Sequence, residues 1–314
     1  MDSTLTPRTR VGPAGWSYAD WNGIVYPAHR PHGFHEASYL AQFFDTIEIN
    51  TSFYQPLKPE LVKNWTRKIE HNPRFKFTAK LWQRFTHDRN ANRQDEKVFK
   101  DGLSPLLSNG RLGALLLQFP WSFKNNAENR EYVGGLSMQF IEYPLVLEVR
   151  HGSWNRPEVF DMLAELGVGF CNIDQPVIGG SIRPTEHSTS PVGYVRLHGR
   201  NYEHWFSSKE RSSDGGERYD YLYSLDELEP WVDRIRKVAE RVEATYVITN
   251  NHFEGKAVAN ALELSSLLSG HPVQVPESLA AHYPGLEQIA APSSTGSQPG
   301  QTVLLFEPSA ASKQ

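Results

Sequence analysis

The chain has 314 residues, 39% of them hydrophobic and 22% charged, with a formal net charge of −4. That is ordinary globular composition with enough length for one large domain or two ordinary ones; it offers no bulk positive charge for nucleic acid and no run of roughly 18 apolar residues for a membrane span. The single cysteine, Cys171, excludes an internal disulfide, and the amino-terminal MDSTLTPRTR lacks the apolar core of a signal peptide, so a reducing, cytoplasmic setting is the expectation.

Short β runs alternate with helical segments along the chain. The first β run lies around Arg10–Gly15, followed by a helix of the type HEASYLAQFF and the run DTIEIN. PELVKNWTRKI reads as a helix, with Pro59 in its first turn where the missing N–H is not needed. FKFTAK is a strand. A helix near Asp95–Leu107 precedes LGALLLQF, and Ala127–Phe140 precedes PLVLEV. RPEVFDMLAELG is a helix closed by Gly167, a residue favoured just past a helix end. VGFCNID, GYVRLH and TYVITNN follow, the last two separated by the long amphipathic LDELEPWVDRIRKVAERV. GKAVANALELSSLLSG closes the series at Gly270. Such alternation implies parallel pairing with right-handed crossovers. Eight units favour a single α/β domain of the (β/α)8 TIM-barrel type over an open doubly wound sheet. The stretch 175–191 is rich in Pro, Gly, Ser and Thr and lacks helical periodicity, so the sixth helix is expected to be missing or vestigial. Residues 1–9 read as an extension, 10–284 as the barrel, and 285–314 as a mostly disordered tail in which TVLLFEP is the one apolar segment.

Polar residues stand at the ends of the apolar runs: Glu48 and Asn50 close TIEIN, Glu148 and Arg150 close LVLEVR, and Arg196 and His198 close YVRLH. Asn250 and Asn251 close TYVITNN. Parallel strands are normally apolar throughout, and charge at their carboxyl ends is the pattern of a barrel's active face. Side chains two apart share a face, which groups Glu48 with Asn50, Lys80 with Thr78, Glu148 with Arg150, Asn172 with Asp174, and Arg196 with His198 and Arg200. These sets are expected to converge on one mouth. Aromatic residues crowd the same loops: Trp16, Tyr18 and Trp21, then Phe53 and Tyr54, Trp82, Trp154, and finally Tyr202 and Trp205 in a long polar loop that reads as a lid. Stacking of a sugar or base is one use for them.

The stretches VGPAGWSYADWNGIVYP, FFDTIEINTSFYQP, FKFTAKLWQRFTH, LLLQFP, LEVRHGSW, YVRLHGR, RYDYLYS and VITNNHFEGKAVANAL resemble the YecE-like family, known as domain of unknown function 72. The resemblance runs from about Val11 to Leu268, and GWSY-x-x-W followed by EIN-x-x-FY is its most specific combination. It implies a TIM-barrel-like fold and leaves the reaction open. The barrel is similar to that of the endonuclease IV and xylose isomerase group, an analogy of fold alone.

Three functions compete. The leading expectation is an enzyme acting by hydrolysis or acid/base chemistry on a small anionic or nucleotide-like substrate. Glu48, Glu148, His198 and Asp174 are its catalytic candidates, and Asn50, Lys80, Arg150, Arg196, Arg200, Asn250, Asn251, Trp16, Tyr18 and Tyr54 its binding candidates. On that reading Glu148 is poised for a ligand, and neutralising it would change stability little. The second is a metal-dependent endonuclease of the DNA-repair type. Glu48, Glu148, Asp174 and His198 could hold a divalent metal, but Lys80, Arg150 and Arg196 stand where a multinuclear site would want acids, so a metal is not favoured, and the acidic chain and an eighth strand ending in Asn250 and Asn251, not a carboxylate, count against nucleic acid. The third is a non-catalytic metabolite-binding protein. Arg196 and Arg200 with Gly255, before the last helix, suggest an anion site. His87 and His151 are acid/base candidates for which capping or packing is an equal reading.

Overall fold

The computed structural model describes residues 9–203 and 216–292. Eight parallel strands run β1 (Thr9–Pro13), β2 (Thr46–Ile49), β3 (Lys76–Lys80), β4 (Leu112–Gln118), β5 (Leu145–Glu148), β6 (Gly169–Asp174), β7 (Val192–Leu197) and β8 (Ala244–Thr249). Their order around the sheet is β1-β8-β7-β6-β5-β4-β3-β2. The two end strands meet through a parallel bridge between Ala14 and Glu48, where the Gly15 N–H donates to the Glu48 carbonyl at 2.8 Å. The fold is therefore the expected (β/α)8 barrel. The seam demands glycine: a Cβ on Gly12 would stand 1.9 Å from the Thr46 carbonyl oxygen.

Local signals explain the outer layer. Pro59 opens helix Pro59–Lys68, and Asn92 caps helix Arg93–Ser108 by accepting from the Gln94 and Asp95 N–H groups while Asp95 returns a bond to the Asn92 N–H. Helices Ala127–Gln139, Pro157–Glu165, Leu225–Ala239 and Lys256–Ser269 follow β4, β5, β7 and β8. Gly167 and Gly270 both turn left-handed just past helix ends, with φ of 68° and 71°.

No helix stands between β6 and β7, as the composition of 175–191 implied. That segment lies over β6 instead. The Asn172 side chain ties it down, accepting from Thr185 Oγ1 at 2.8 Å and the His187 N–H at 2.7 Å and donating to the His187 carbonyl at 2.9 Å. Phe170, on the same face, packs against Phe160 and His187.

Strand register assigns the barrel interior. Glu48 pairs with Thr78, Gln118 with Glu148, Cys171 with Tyr194, Ile173 with Arg196, and Arg196 with Ile248. Paired residues in a parallel sheet share a face. The lower interior is filled by Tyr246, Cys171 and Tyr194, all buried. Gly113 makes room for Tyr246, since a Cβ there would lie 2.3 Å from the Tyr246 ring.

Order continues past the expected boundary at residue 284. Leu286 is buried, and Val273 pairs with Ala290 through two backbone bonds of 2.8 and 2.7 Å. The segment TVLLFEP and most of the proposed lid, including Trp205, lie outside the described residues. Among the described residues no helix is long and apolar enough to cross a membrane.

Candidate functional site

The carboxyl end of the barrel is filled by a plug of charge, and Arg196 is its centre. One guanidinium nitrogen meets Glu48 Oε1 at 2.7 Å; the other meets Glu148 Oε2 at 2.5 Å and Gln118 Oε1 at 3.2 Å. All three charged side chains are 0% exposed. Glu48 also accepts from the Tyr194 hydroxyl at 2.9 Å, and that hydroxyl lies 2.8 Å from Thr78 Oγ1. The second oxygen of Glu148 receives Arg150 at 3.1 Å and His198 Nε2 at 3.2 Å. Asn250 Nδ2 stands 3.1 Å from His198 Nδ1. An amide donor there leaves Nε2 as the protonated nitrogen, which directs its N–H at Glu148.

Burial sets the protonation states. Burial lowers His198 to about 3, against the pull of Glu148, so the imidazole is neutral across the physiological range. Burial alone would raise Glu148, but Arg196, His198 and Arg150 outweigh it and hold the carboxyl well below its usual range. Lys80 lies at the same mouth with Nζ 3.5 Å from Glu48 Oε1. Burial, then the charge of Arg196, lowers its proton affinity.

The closed plug and the open rim differ in sign. Glu48, Glu148, Arg196 and His198 are wholly enclosed, whereas the side chains of Arg150 and Lys80 keep 7% and 11% of their surface. Around them stand Tyr18, stacked on His252 at 4.3 Å, and Tyr219, whose ring lies 5.0 Å from His252. Phe53 and His87 meet edge to face at 4.9 Å. Burial acts to raise the Tyr219 phenol, yet the charges of Arg218, Arg150, Lys80 and Arg196 outweigh it and bring it below its ordinary value. His87 is lowered by burial and by Arg150.

Glu48, Lys80, Glu148, Arg150, Arg196, His198 and Asn250 thus come together at one mouth. Asn50 and Tyr18 sit at its edge, Asn50 Nδ2 donating to the Tyr18 hydroxyl at 3.0 Å. Asp174 does not join them. It shares the outward face of β6 with Asn172 and accepts from Arg200 at 2.8 Å and from the Trp231 indole at 3.0 Å, behind the barrel wall. The wall can take a carboxylate there because Arg200 neutralises it and the Trp231 indole donates to it. Arg200 turns outward with it, past Gly199 at φ 86°, and also pairs with Glu227. Asn251 is likewise scaffold, donating to the Tyr221 carbonyl and to Asn260. Trp16 packs edge-on against Trp65 at 4.9 Å and against Phe77, between strands and helices and away from the mouth. Tyr54 is 66% exposed on the outer rim. The grouping of Arg196, Arg200 and Gly255 does not form, because both guanidinium groups are engaged by carboxylates and Gly255 is packed against Val25 and Leu279. His151 is a capping residue that accepts from the Ser153 N–H.

Three mouth residues went unread. Gln118 and Tyr194 were accessible by the rule that found the others: Gln118 ends an apolar strand, and Tyr194 is two residues from Arg196. Tyr219 belongs to no strand, and only the return of a long loop brings it in. The donor set fits a divalent metal poorly, since the Arg196 guanidinium lies between the two carboxylates that would bridge one. Among the described residues no three His, Cys, Asp or Glu side chains gather as a ligand set.

A family model described as "Protein of unknown function DUF72" matches residues 10–283. The UPF0759 protein YunF of Bacillus subtilis is 29% identical over 276 residues, covering 82% of this chain and 94% of YunF. A DUF72 family protein from Thermotoga maritima is 32% identical with a TM-score of 0.72, covering 83% of this chain and 99% of the other. One from Enterococcus faecalis, 22% identical, superposes with the same TM-score of 0.72 over 85% of this chain and 100% of the other.

Proposed function

This chain belongs to the DUF72 family of barrels, and we propose that it is an enzyme that binds a small anionic substrate at the mouth and performs acid/base chemistry on it. The observation that carries this reading is the sorting of charge by depth. The carboxylates Glu48 and Glu148 are fully enclosed and committed to Arg196, while the charged side chains of the plug that keep a surface are the cations Lys80 and Arg150. An anion entering the mouth therefore meets positive charge at low dielectric, where each contact is worth more than in water. Arg150, held on Glu148 through Nε and Nη2, contributes positive charge to the mouth, and Lys80 a point charge. Tyr219 and His87, whose proton affinities the same cations alter, flank the place where the substrate would sit and supply proton transfer.

Inorganic phosphate is the first probe. It should stabilise the native chain and so raise its melting temperature, the stabilisation growing with concentration to about 2.7 kcal/mol at a hundredfold excess over Kd. The rise should shrink sharply in Lys80→Met, and sodium chloride at matched ionic strength should not reproduce it. Equal stabilisation of the variant, or by chloride, would remove the mouth as the anion site.

A further inference from the structure

We propose that Lys80 is a covalent amine nucleophile that forms a Schiff base with the carbonyl carbon of a small anionic aldehyde or 2-oxo acid. The inference rests on the reading of the mouth as an anion site and goes beyond it by naming the substrate class.

Position comes first. Lys80 is the last residue of β3, on the interior face with Thr78, and its side chain is the most exposed member of the charge plug, at 11% against 7% for Arg150 and 0% for Glu48, Glu148, Arg196 and His198. Of the charged side chains in the plug it keeps the most surface, and it ends in an amine. Its hold is weak. The closest acid oxygen, Glu48 Oε1, is 3.5 Å away and is already bound by Arg196 at 2.7 Å, with Tyr194 on the other Glu48 oxygen. The Phe53 ring, 6.0 Å off, makes one side apolar. A lysine enclosed beside another cation gives up its proton more easily than one in water, and the neutral amine is the reactive form. The surroundings fit the rest of such a molecule: Arg150, held on Glu148 Oε1 through Nε and Nη2 at 3.3 and 3.1 Å, adds positive charge on the side where a carboxylate would lie, and Tyr219 and His87 feel both cations.

The step balances without a further reagent. The neutral amine adds to the carbonyl carbon, forming a C–N bond and giving a carbinolamine once the carbonyl oxygen is protonated. That oxygen then leaves as water, carrying away the equivalent of the two amine hydrogens, and C=N replaces C=O. Protonation of the imine nitrogen from solvent gives the iminium, which draws electrons from the neighbouring carbon and makes its C–H bond easier to break. Nothing is oxidised or reduced.

Glyoxylate with sodium cyanoborohydride at neutral pH tests the proposal on the intact chain, because hydride reduction converts the imine into a stable secondary amine at the lysine that formed it. Peptide mapping should find Lys80 modified faster than the surface lysines, because its amine gives up its proton more easily. Inorganic phosphate should slow that labelling, and acetaldehyde, which lacks the carboxylate, should label Lys80 less selectively. Lys80→Arg keeps the charge and should abolish the fast adduct. Labelling spread over surface lysines with Lys80 unmodified would overturn the proposal. If phosphate still stabilises the chain through Lys80 in that case, the anion reading survives and the covalent step alone is lost.

Discussion

Replacing Glu148 by Gln asks whether the plug is scaffold or merely a waiting ligand site. Glu148 is fully enclosed and uses both oxygens: Oε2 for Arg196 at 2.5 Å, Oε1 for Arg150 at 3.1 Å and His198 at 3.2 Å. Glutamine has nearly the same shape but only one acceptor oxygen. Whichever way the amide is turned, its NH2 faces a donor, either Arg196 on one side or Arg150 and His198 on the other. The substitution also removes one of the two carboxylates that neutralise the buried Arg196. Removing one partner of a buried ion pair costs about 3–5 kcal/mol, because a charge is left uncompensated. For a domain of this size that lowers the melting temperature by on the order of 10 °C. This reverses what the strand-end pattern alone suggested, namely little change in stability. Urea unfolding followed by tryptophan fluorescence measures it, with the midpoint falling and the slope unchanged. A loss below about 1 kcal/mol would refute the argument, since it would mean that Arg196 keeps its stability without Glu148.

Two further outcomes follow from the same geometry. His198 is held neutral down to about 3, so between there and the unfolded value of about 6.5 the unfolded chain binds a proton that the folded chain does not. Its contribution is therefore present above about pH 6.5 and lost as the pH falls, and the stability difference between native chain and His198→Gln should narrow from pH 7 to pH 5 in matched urea titrations; a constant difference would show that His198 titrates normally. A chain ending at Pro284 should be less stable than one ending at Pro292 by about 2 kcal/mol, the worth of burying Leu286 and its neighbours, as read by thermal melts of the pair; equal melting would place those residues outside the fold.

The barrel and most of the mouth were legible for one reason. A strand buried on both faces should be apolar, so Glu48, Lys80, Glu148, Arg196 and His198 could stand where they do only at a strand end that opens on something polar. Asp174 fails the same rule instructively. Period two says that Asn172 and Asp174 share a face, and it cannot say which. On strands whose outer face meets an apolar helix the polar set must point inward. No helix connects β6 to β7, a fact also visible in the sequence, and the irregular segment 175–191 binds Asn172, so that Asp174 turns outward with it, to Arg200 and Trp231, while Cys171 and Ile173 turn inward. The two readings, combined, would have placed Asp174 correctly. Trp16 misled for a related reason: a loop aromatic beside a mouth can fold back between strand and helix, and only the partners Trp65 and Phe77 decide it.

Depth also reassigns the chemical roles. Charged strand ends invite the view that carboxylates do the chemistry, since paired acids serve so many barrel enzymes. Here Glu48 and Glu148 flank the Arg196 guanidinium and have no free face. A proton on Glu148 would remove one of the two carboxylates that neutralise the buried Arg196, at a cost comparable to the roughly 3–5 kcal/mol of breaking the pair outright. Their consequence is electrostatic: they hold Arg196 fixed, and burial together with the charge of Arg196 loosens the proton on Lys80. On the proposed reading the groups that touch a substrate are those at the edge, Lys80, Arg150, Tyr219 and His87, and all four are tuned by, or part of, the same positive field. On this arrangement loss of an edge group should abolish function while the fold survives, and loss of an enclosed group should damage the fold first.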